Sequence, residues 1–154
     1  MPWTANSHRL RLGRFSEPGR LYLVTLTCHQ RYRHFTSLTA GRTFVGSLMS
    51  VHHQAKTLCY VVMPDHAHWL MQLEVDTDLS RVVQKVKSLT TRQMRSGGGL
   101  SGPLWQKGFH DRALRKEDDV IAVARYVIAN PLRAGLVESV RVYSLWDACW
   151  LETE

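Results

Sequence analysis

Three things are scarce in this chain. It has three cysteines, Cys28, Cys59 and Cys149, an odd number placed far apart. That spacing builds neither a disulfide framework nor a zinc knuckle, so the thiols read as reduced and structural. Long apolar runs are missing too. No stretch approaches the roughly 18 residues a membrane helix needs, and the opening MPWTANSHRLRLGRF has no signal-peptide core. No membrane partner is expected, and the location expected is cytoplasmic, with the nucleoid. Acids are the third scarcity: 13 Asp and Glu stand against 20 Lys and Arg, a net charge of +7. Residues 1–33 carry six arginines and one glutamate, and residues 81–95 carry Arg81, Lys85, Lys87, Arg92 and Arg95 with no acid. Basic clusters of this kind suit a polyanion, most often nucleic acid.

What is present fits one domain over residues 1–154, with a basic N-terminal arm at 1–20 and an aromatic tail at 138–154. The segment RLYLVTLTCHQ, 20–30, alternates as a strand does, with Tyr22, Val24, Leu26 and Cys28 on one face. Phe44, Val45, Leu48 and Met49 give helical spacing across 38–54. A second strand is expected at 57–64, stopped by Pro64, and a third at 66–74 after a tight turn. Leu79, Val82, Val83, Val86 and Leu89 predict an amphipathic helix over 78–95. SGGGLSGP, 96–103, reads as a mobile loop. A fourth strand is expected at 109–115 and a helix at 116–130, with acids in its first turn and Pro131 after it. The tail shows no clear period. This order predicts an α+β fold, a ferredoxin-like or RRM-like antiparallel sheet with helices packed on one face.

The third strand carries two histidines, His66 and His68, in VVMPDHAHWLMQL. Strand alternation sends Ala67, Trp69, Met71 and Leu73 to one side, an apolar face. The histidines stand together on the other side, close enough to share one ion. Two ligands make a weak site alone, and the helix at 116–130 offers a third. Its apolar stripe is Val120, Ile121, Val123, Ala124, Val127 and Ile128, and Tyr126 lies well off the centre of that stripe. Asn130 sits one turn beyond Tyr126 on the same side, and Asp119 about two turns before it. One helix thus offers a nucleophile and an oxygen ligand to the same place. Tyrosine is a poor base but a usable covalent nucleophile. A divalent ion held by two imidazoles and an amide oxygen would polarise a phosphoryl group and orient it. The chemistry expected is transesterification, leaving Tyr126 on a 5′ phosphate and a free 3′ hydroxyl.

YVVMPDHAHWLMQL (60–73), GPLWQKGFHDRALRKEDDV (102–120) and ARYVIANPLRAGLV (124–137), with YLVTLTCHQR (22–31) before them, resemble the single-tyrosine HUH transposases. Within these the chain resembles the REP-associated tyrosine transposases. The resemblance covers about 20 to 145. It implies that His66 and His68 are metal ligands, that Tyr126 is the nucleophile on its own C-terminal helix, and that Asn130 completes the metal site. It implies Mg²⁺ or Mn²⁺ as the ion and single-stranded DNA hairpins, REP elements, as the partner. A monomer is favoured over a homodimer. The middle HUH residue, usually bulky, is Ala67 here.

For DNA contacts the expected residues are Arg9, Arg11, Arg14 and Arg20 on phosphates. Trp105, Lys107, Phe109 and Arg112 set aromatic rings beside cations, which suits stacking on unpaired bases, while Trp105 and Phe109 read equally well as core residues. Arg133 either meets the cleaved strand or bonds the helix carbonyls before it. The main alternative is a non-catalytic regulator that binds REP hairpins. A metal-dependent hydrolase working without the tyrosine is a third reading.

Overall fold

Alternation is strongest in two segments, and these form the centre of the sheet. In the computed structural model, which describes residues 19–115, 120–139, 141 and 143–148, β1 (Leu21–Thr27) pairs antiparallel with β3 (His66–Leu73). β2 (Ala55–Met63) joins β3 through the tight turn at Pro64 and Asp65. β4 (His110–Ala113) closes the other side of β1, and a short β5 (Trp146–Ala148) lines the free edge of β2. The sheet order β4-β1-β3-β2-β5 is fully antiparallel. Its first four members have the ferredoxin-like arrangement expected from the sequence.

Both sheet faces are covered. One carries Tyr22, Val24, Leu26, Ala67, Trp69, Met71 and Leu73 under α1 (Leu38–Ser50) and α2 (Leu79–Ser96). The other carries Leu23, Leu70, Cys59, Val61 and Met63 under α3 (Val120–Ile128) through Ala124 and Val127. α1 and α2 share one face as expected, and α3 packs alone on the opposite one. In β2 a bulge between Thr57 and Cys59 shifts the register and changes which residues face each layer. Before the bulge, Thr57 faces α1 and α2, where its hydroxyl accepts from the Trp69 indole at 2.9 Å. After it, Cys59 and Val61 face α3. An extra residue flips the parity of a strand, and here it supplies the apolar seat for α3.

The helices depart from their expected stripes in detail. α1 buries Gly41, Phe44, Ser47 and Leu48, while Met49 is exposed. α2 buries Thr90 rather than Leu89 at its last contact, and the Thr90 hydroxyl donates to Ser47 of α1 at 2.9 Å. In α3 Ile121 lies outside the buried stripe. Residues 97–99 are not a loose loop. Gly97, Gly98 and Gly99 donate to the carbonyls of Gln93, Arg95 and Met94 and so cap α2, with Gly98 at φ +76°. The tail adds an element that the sequence did not predict: Tyr143 donates to the Val62 carbonyl at 2.6 Å, and β5 follows. Among the described residues no helix is long and apolar enough to cross a membrane.

Candidate active site

The face under α3 is apolar at one end and polar at the other. The polar end begins where β3 starts. His66 lies opposite Thr27 and His68 opposite Thr25 in the β1–β3 register, and Thr25 lies opposite His110 of β4. The two imidazoles meet edge to face with centroids 4.9 Å apart. Each is anchored by its Nδ1. That of His66 is 2.7 Å from Asp65 Oδ1, and that of His68 is 2.9 Å from Thr25 Oγ1. The Nε2 atoms are the remaining ring nitrogens, and outer partners of this kind are what orient metal-ligating histidines.

Asp65 is itself held. Burial opposes its ionisation, but the hydrogen bonds and charges of His66 and Arg31 outweigh that and keep its carboxyl below the usual range. Arg31 Nη1 is 3.4 Å from Asp65 Oδ2. To reach it, Gln30 and Arg31 take left-handed backbone angles, φ 52° and 59°. Two backbone bonds, Cys28 N–H to Asp65 O and Phe35 N–H to Pro64 O, hold this segment over the β2–β3 turn.

His68 is the more enclosed imidazole. Burial, then the charges of His66, Arg133 and Arg31, push its pKa down to about 3, so it stays neutral, the form that binds metals. The sign for stability follows. Between about 3 and the ordinary 6.5 the unfolded chain takes a proton here that the folded one refuses. This contribution is complete above pH 6.5 and is lost as pH falls below it. In chelator, the thermal midpoint should drop by several degrees from pH 7 to pH 5, for a loss of roughly 2 kcal/mol. His68→Gln should show a flatter profile; an equal slope in both proteins would refute this assignment.

Tyr126 is on α3, off the buried stripe as its spacing predicts, and is 65% exposed. The helix stops soon after it. Pro131 has no N–H for the Val127 carbonyl, and the Asn130 side-chain amide fills the gap by donating to Val127 O at 2.8 Å. Asn130 therefore opens a separate turn, α4 (Asn130–Arg133), rather than extending α3, and its Oδ1 is the side-chain acceptor left over. Arg133 doubles back. Its Nη1 donates to the Tyr126 carbonyl at 2.6 Å, and its guanidinium lies 3.7 Å from the Tyr126 ring centroid. This is the carbonyl-bonding alternative expected for it. Arg133 also acts electrostatically on His68, so the tyrosine corner and the histidine pair lie within each other's field.

The donor set fits a divalent ion. Two imidazole nitrogens are on one edge, and an amide oxygen is available from α4. Among the described residues no third His, Cys, Asp or Glu joins the pair as a metal-binding group. Asp119 lies outside the described residues.

The expected DNA contacts fare differently. Arg9, Arg11 and Arg14 lie outside the described residues. Arg20 Nε reaches the Leu114 carbonyl at 3.4 Å, beside β4. Lys107 is exposed and Arg112 half-buried on β4, opposite Leu23. Trp105 is a correction: it is 9% exposed and packs on Phe35 and Phe44, at 5.5 and 5.7 Å between ring centroids. Its indole donates to Lys87 O at 3.2 Å. A ring so enclosed offers no face to a base. Phe109 is half-buried against the same core. Sequence reasoning missed Asp65, Thr25 and Arg31, which orient the histidines; the only signal was their place beside the pair in chain or register.

The family model for IS200-like transposases matches residues 21–130, from β1 through both histidines and Tyr126 to Asn130. The chain belongs to the IS200-like transposase family. Among relatives of this transposase, a Haemophilus influenzae protein assigned as a REP-associated tyrosine transposase is 26% identical over 140 residues, 80% of this chain and 76% of that one. A REP-associated tyrosine transposase of Escherichia coli is 32% identical over 82 residues, 53% of this chain and 47% of that one. A solved REP-associated tyrosine transposase bound to a REP hairpin shares the fold, with a TM-score of 0.68 at 24% identity, over 82% of this chain and 75% of that one. The transposase thus resembles the REP-associated branch along most of its length as well as in its motifs.

Proposed function

We propose that this transposase is a single-strand DNA endonuclease and strand transferase that acts at hairpin-forming, REP-type sequences. One observation carries the reading. His66 and His68 are fixed through their Nδ1 atoms, leaving both Nε2 atoms for a metal, on the sheet face that also carries the exposed Tyr126. His66, His68 and the Asn130 amide oxygen would hold the ion. Of Mg²⁺ and Mn²⁺, the second suits imidazole better, since Mg²⁺ seeks oxygen ligands. When bound, the ion draws charge from a phosphate oxygen and fixes the phosphate's orientation.

The Tyr126 phenol oxygen attacks phosphorus in line. A Tyr–O–P bond forms and the P–O3′ bond breaks. The phenolic proton leaves to solvent, and the departing 3′ oxygen takes one up as a free hydroxyl. One phosphoester replaces another, so a 3′ hydroxyl can reverse the step and join strands without ATP. Arg133, stacked on the ring, restricts the rotamers of Tyr126 and keeps the phenol outside the core.

The test is a denaturing gel of the protein with end-labelled hairpin DNA in Mn²⁺ or Mg²⁺. A slow-migrating covalent adduct that chelator removes is expected. A native-gel shift without any adduct would sink the catalytic reading and leave a hairpin-binding protein.

A further inference from the structure

The segment 29–34 lies over the β2–β3 turn, and its backbone is strained. Gln30 and Arg31 both take left-handed angles, φ 52° and 59°, which residues other than glycine seldom adopt. Strain of this kind persists only where surrounding bonds over-determine it, and it gathers at sites of function. Here Arg31 N–H bonds the Cys28 carbonyl at 2.9 Å and Tyr32 N–H bonds the His29 carbonyl at 3.1 Å. Cys28 and Phe35 tie the segment to Asp65 and Pro64. The bent backbone brings Arg31 to the outer oxygen of Asp65. The two partners of that carboxylate are unequal. His66 Nδ1 is 2.7 Å from Oδ1, whereas Arg31 reaches Oδ2 through one nitrogen at 3.4 Å. A strong charge-assisted bond spans roughly 2.7–2.9 Å. Arg31 therefore holds Asp65 loosely, and its side chain is 66% exposed. Tyr32, 55% exposed, and Arg33 follow it on the surface. An open aromatic ring between two cations suits a passing single strand.

We infer that Arg31 couples the arrival of a DNA strand to metal affinity: in the free protein it shares Asp65 with His66, and it passes to a phosphate when DNA binds, leaving Asp65 to His66 alone. This deepens the function proposed above and rests on it. The preference for phosphate follows from geometry. A guanidinium grips a phosphate through two parallel N–H bonds, and Arg31 gives up one long contact to do so. The consequence at His66 has two parts of the same sign. A carboxylate on the far nitrogen of a metal-binding imidazole makes that ring a better donor, and a cation on the carboxylate takes back part of the gain. A cation near a divalent site also repels the ion, and a phosphate neutralises it. Metal is thus held more weakly before DNA arrives and more tightly afterwards. His68 stands outside this switch, because its Nδ1 partner is the uncharged Thr25 hydroxyl. By linkage, metal raises DNA affinity by the same factor. Arg31 is a positioning residue that acts through Asp65 and His66.

The test is Mn²⁺ binding read by electron paramagnetic resonance, in a Tyr126→Phe background so that nothing is cleaved. Without DNA, Arg31→Ala should bind Mn²⁺ about fivefold more tightly than this parent, the scale of one charge acting on a divalent ion at near-aqueous screening. An Arg31 that merely supported the site would give the opposite sign. A hairpin oligonucleotide with a single-stranded flank is then added, with correction for ion held by the DNA alone. It should tighten Mn²⁺ binding about fivefold more in the parent than in Arg31→Ala. Asp65→Asn should weaken Mn²⁺ binding by about tenfold or more. Added to Asp65→Asn, Arg31→Ala should change affinity by no more than about twofold, because the shared carboxylate is gone. Arg31→Gly suits the left-handed angle, should match Arg31→Ala, and serves if alanine disturbs the segment. Mn²⁺ affinity unchanged or weakened in both Arg31 variants would overturn the inference. So would an equal gain from DNA with and without the guanidinium. His66→Ala separates the two levels: if it leaves Mn²⁺ affinity untouched, the metal site itself fails, and the inference falls with it.

Discussion

Tyr126→Phe removes the covalent adduct and lowers cleavage by at least about 10⁴-fold, the scale on which losing a covalent nucleophile registers. Hairpin affinity stays within about twofold of the parent and the thermal midpoint barely moves. The separation follows from where the residue sits. Its ring is 65% exposed, so removing a hydroxyl opens no cavity and strands no buried partner. Phenylalanine also keeps the ring on which the Arg133 guanidinium lies, so the bend after α3 is preserved. Alanine would remove that support too and confuse the two effects. Metal-dependent cleavage by Tyr126→Phe near the parent rate would sink the proposal, because water would then be the nucleophile. Loss of hairpin binding in this variant would instead show that the ring contributes to recognition.

Legibility in the sequence follows how local the determining physics is. β1 and β3 were legible because strand alternation is a two-residue rule. The same rule put His66 and His68 side by side, as their 4.9 Å ring separation reports. The orientation of Tyr126 was legible from helical angles alone. What was not legible depended on partners distant in the chain. The bulge at Thr57 and Cys59 shifts the register of β2 against β3, and nothing in KTLCY announces it. β5 has three residues and no period of its own, and is held by pairing with Cys59, Tyr60 and Val61. Asn130 was expected one turn along the same helix. The missing N–H of Pro131 interrupts that helix, and the Asn130 amide is drawn onto Val127 O instead.

Trp105 is the clearest case of chemistry read correctly in kind and wrongly in place, and it yields a large expected effect. A tryptophan beside lysine and arginine suits base stacking, and the sequence LWQKGFHDR could not say that the ring turns inward. The reason lies in β1. Cys28, just past its end, bridges to Trp105, while His29 N–H bonds Leu104 O and Gln106 N–H bonds Thr27 O. That pairing fixes the strand direction at 104–106 and sends the ring between Phe35 and Phe44. Trp105→Ala should therefore cost about 3–5 kcal/mol, against a total stability of about 5–15 kcal/mol for a typical domain. The midpoint of thermal unfolding should fall by about 10 °C or more. Trp105→Phe keeps most of the packing but loses the indole bond to Lys87 O, and should cost about 1–2 kcal/mol. Calorimetry reads the stability, and hairpin binding is compared where each protein is still folded. Folded Trp105→Phe should bind stemless single strands as the parent does. A tenfold loss of that affinity with an unchanged unfolding midpoint would return Trp105 to the surface as a base-stacking residue.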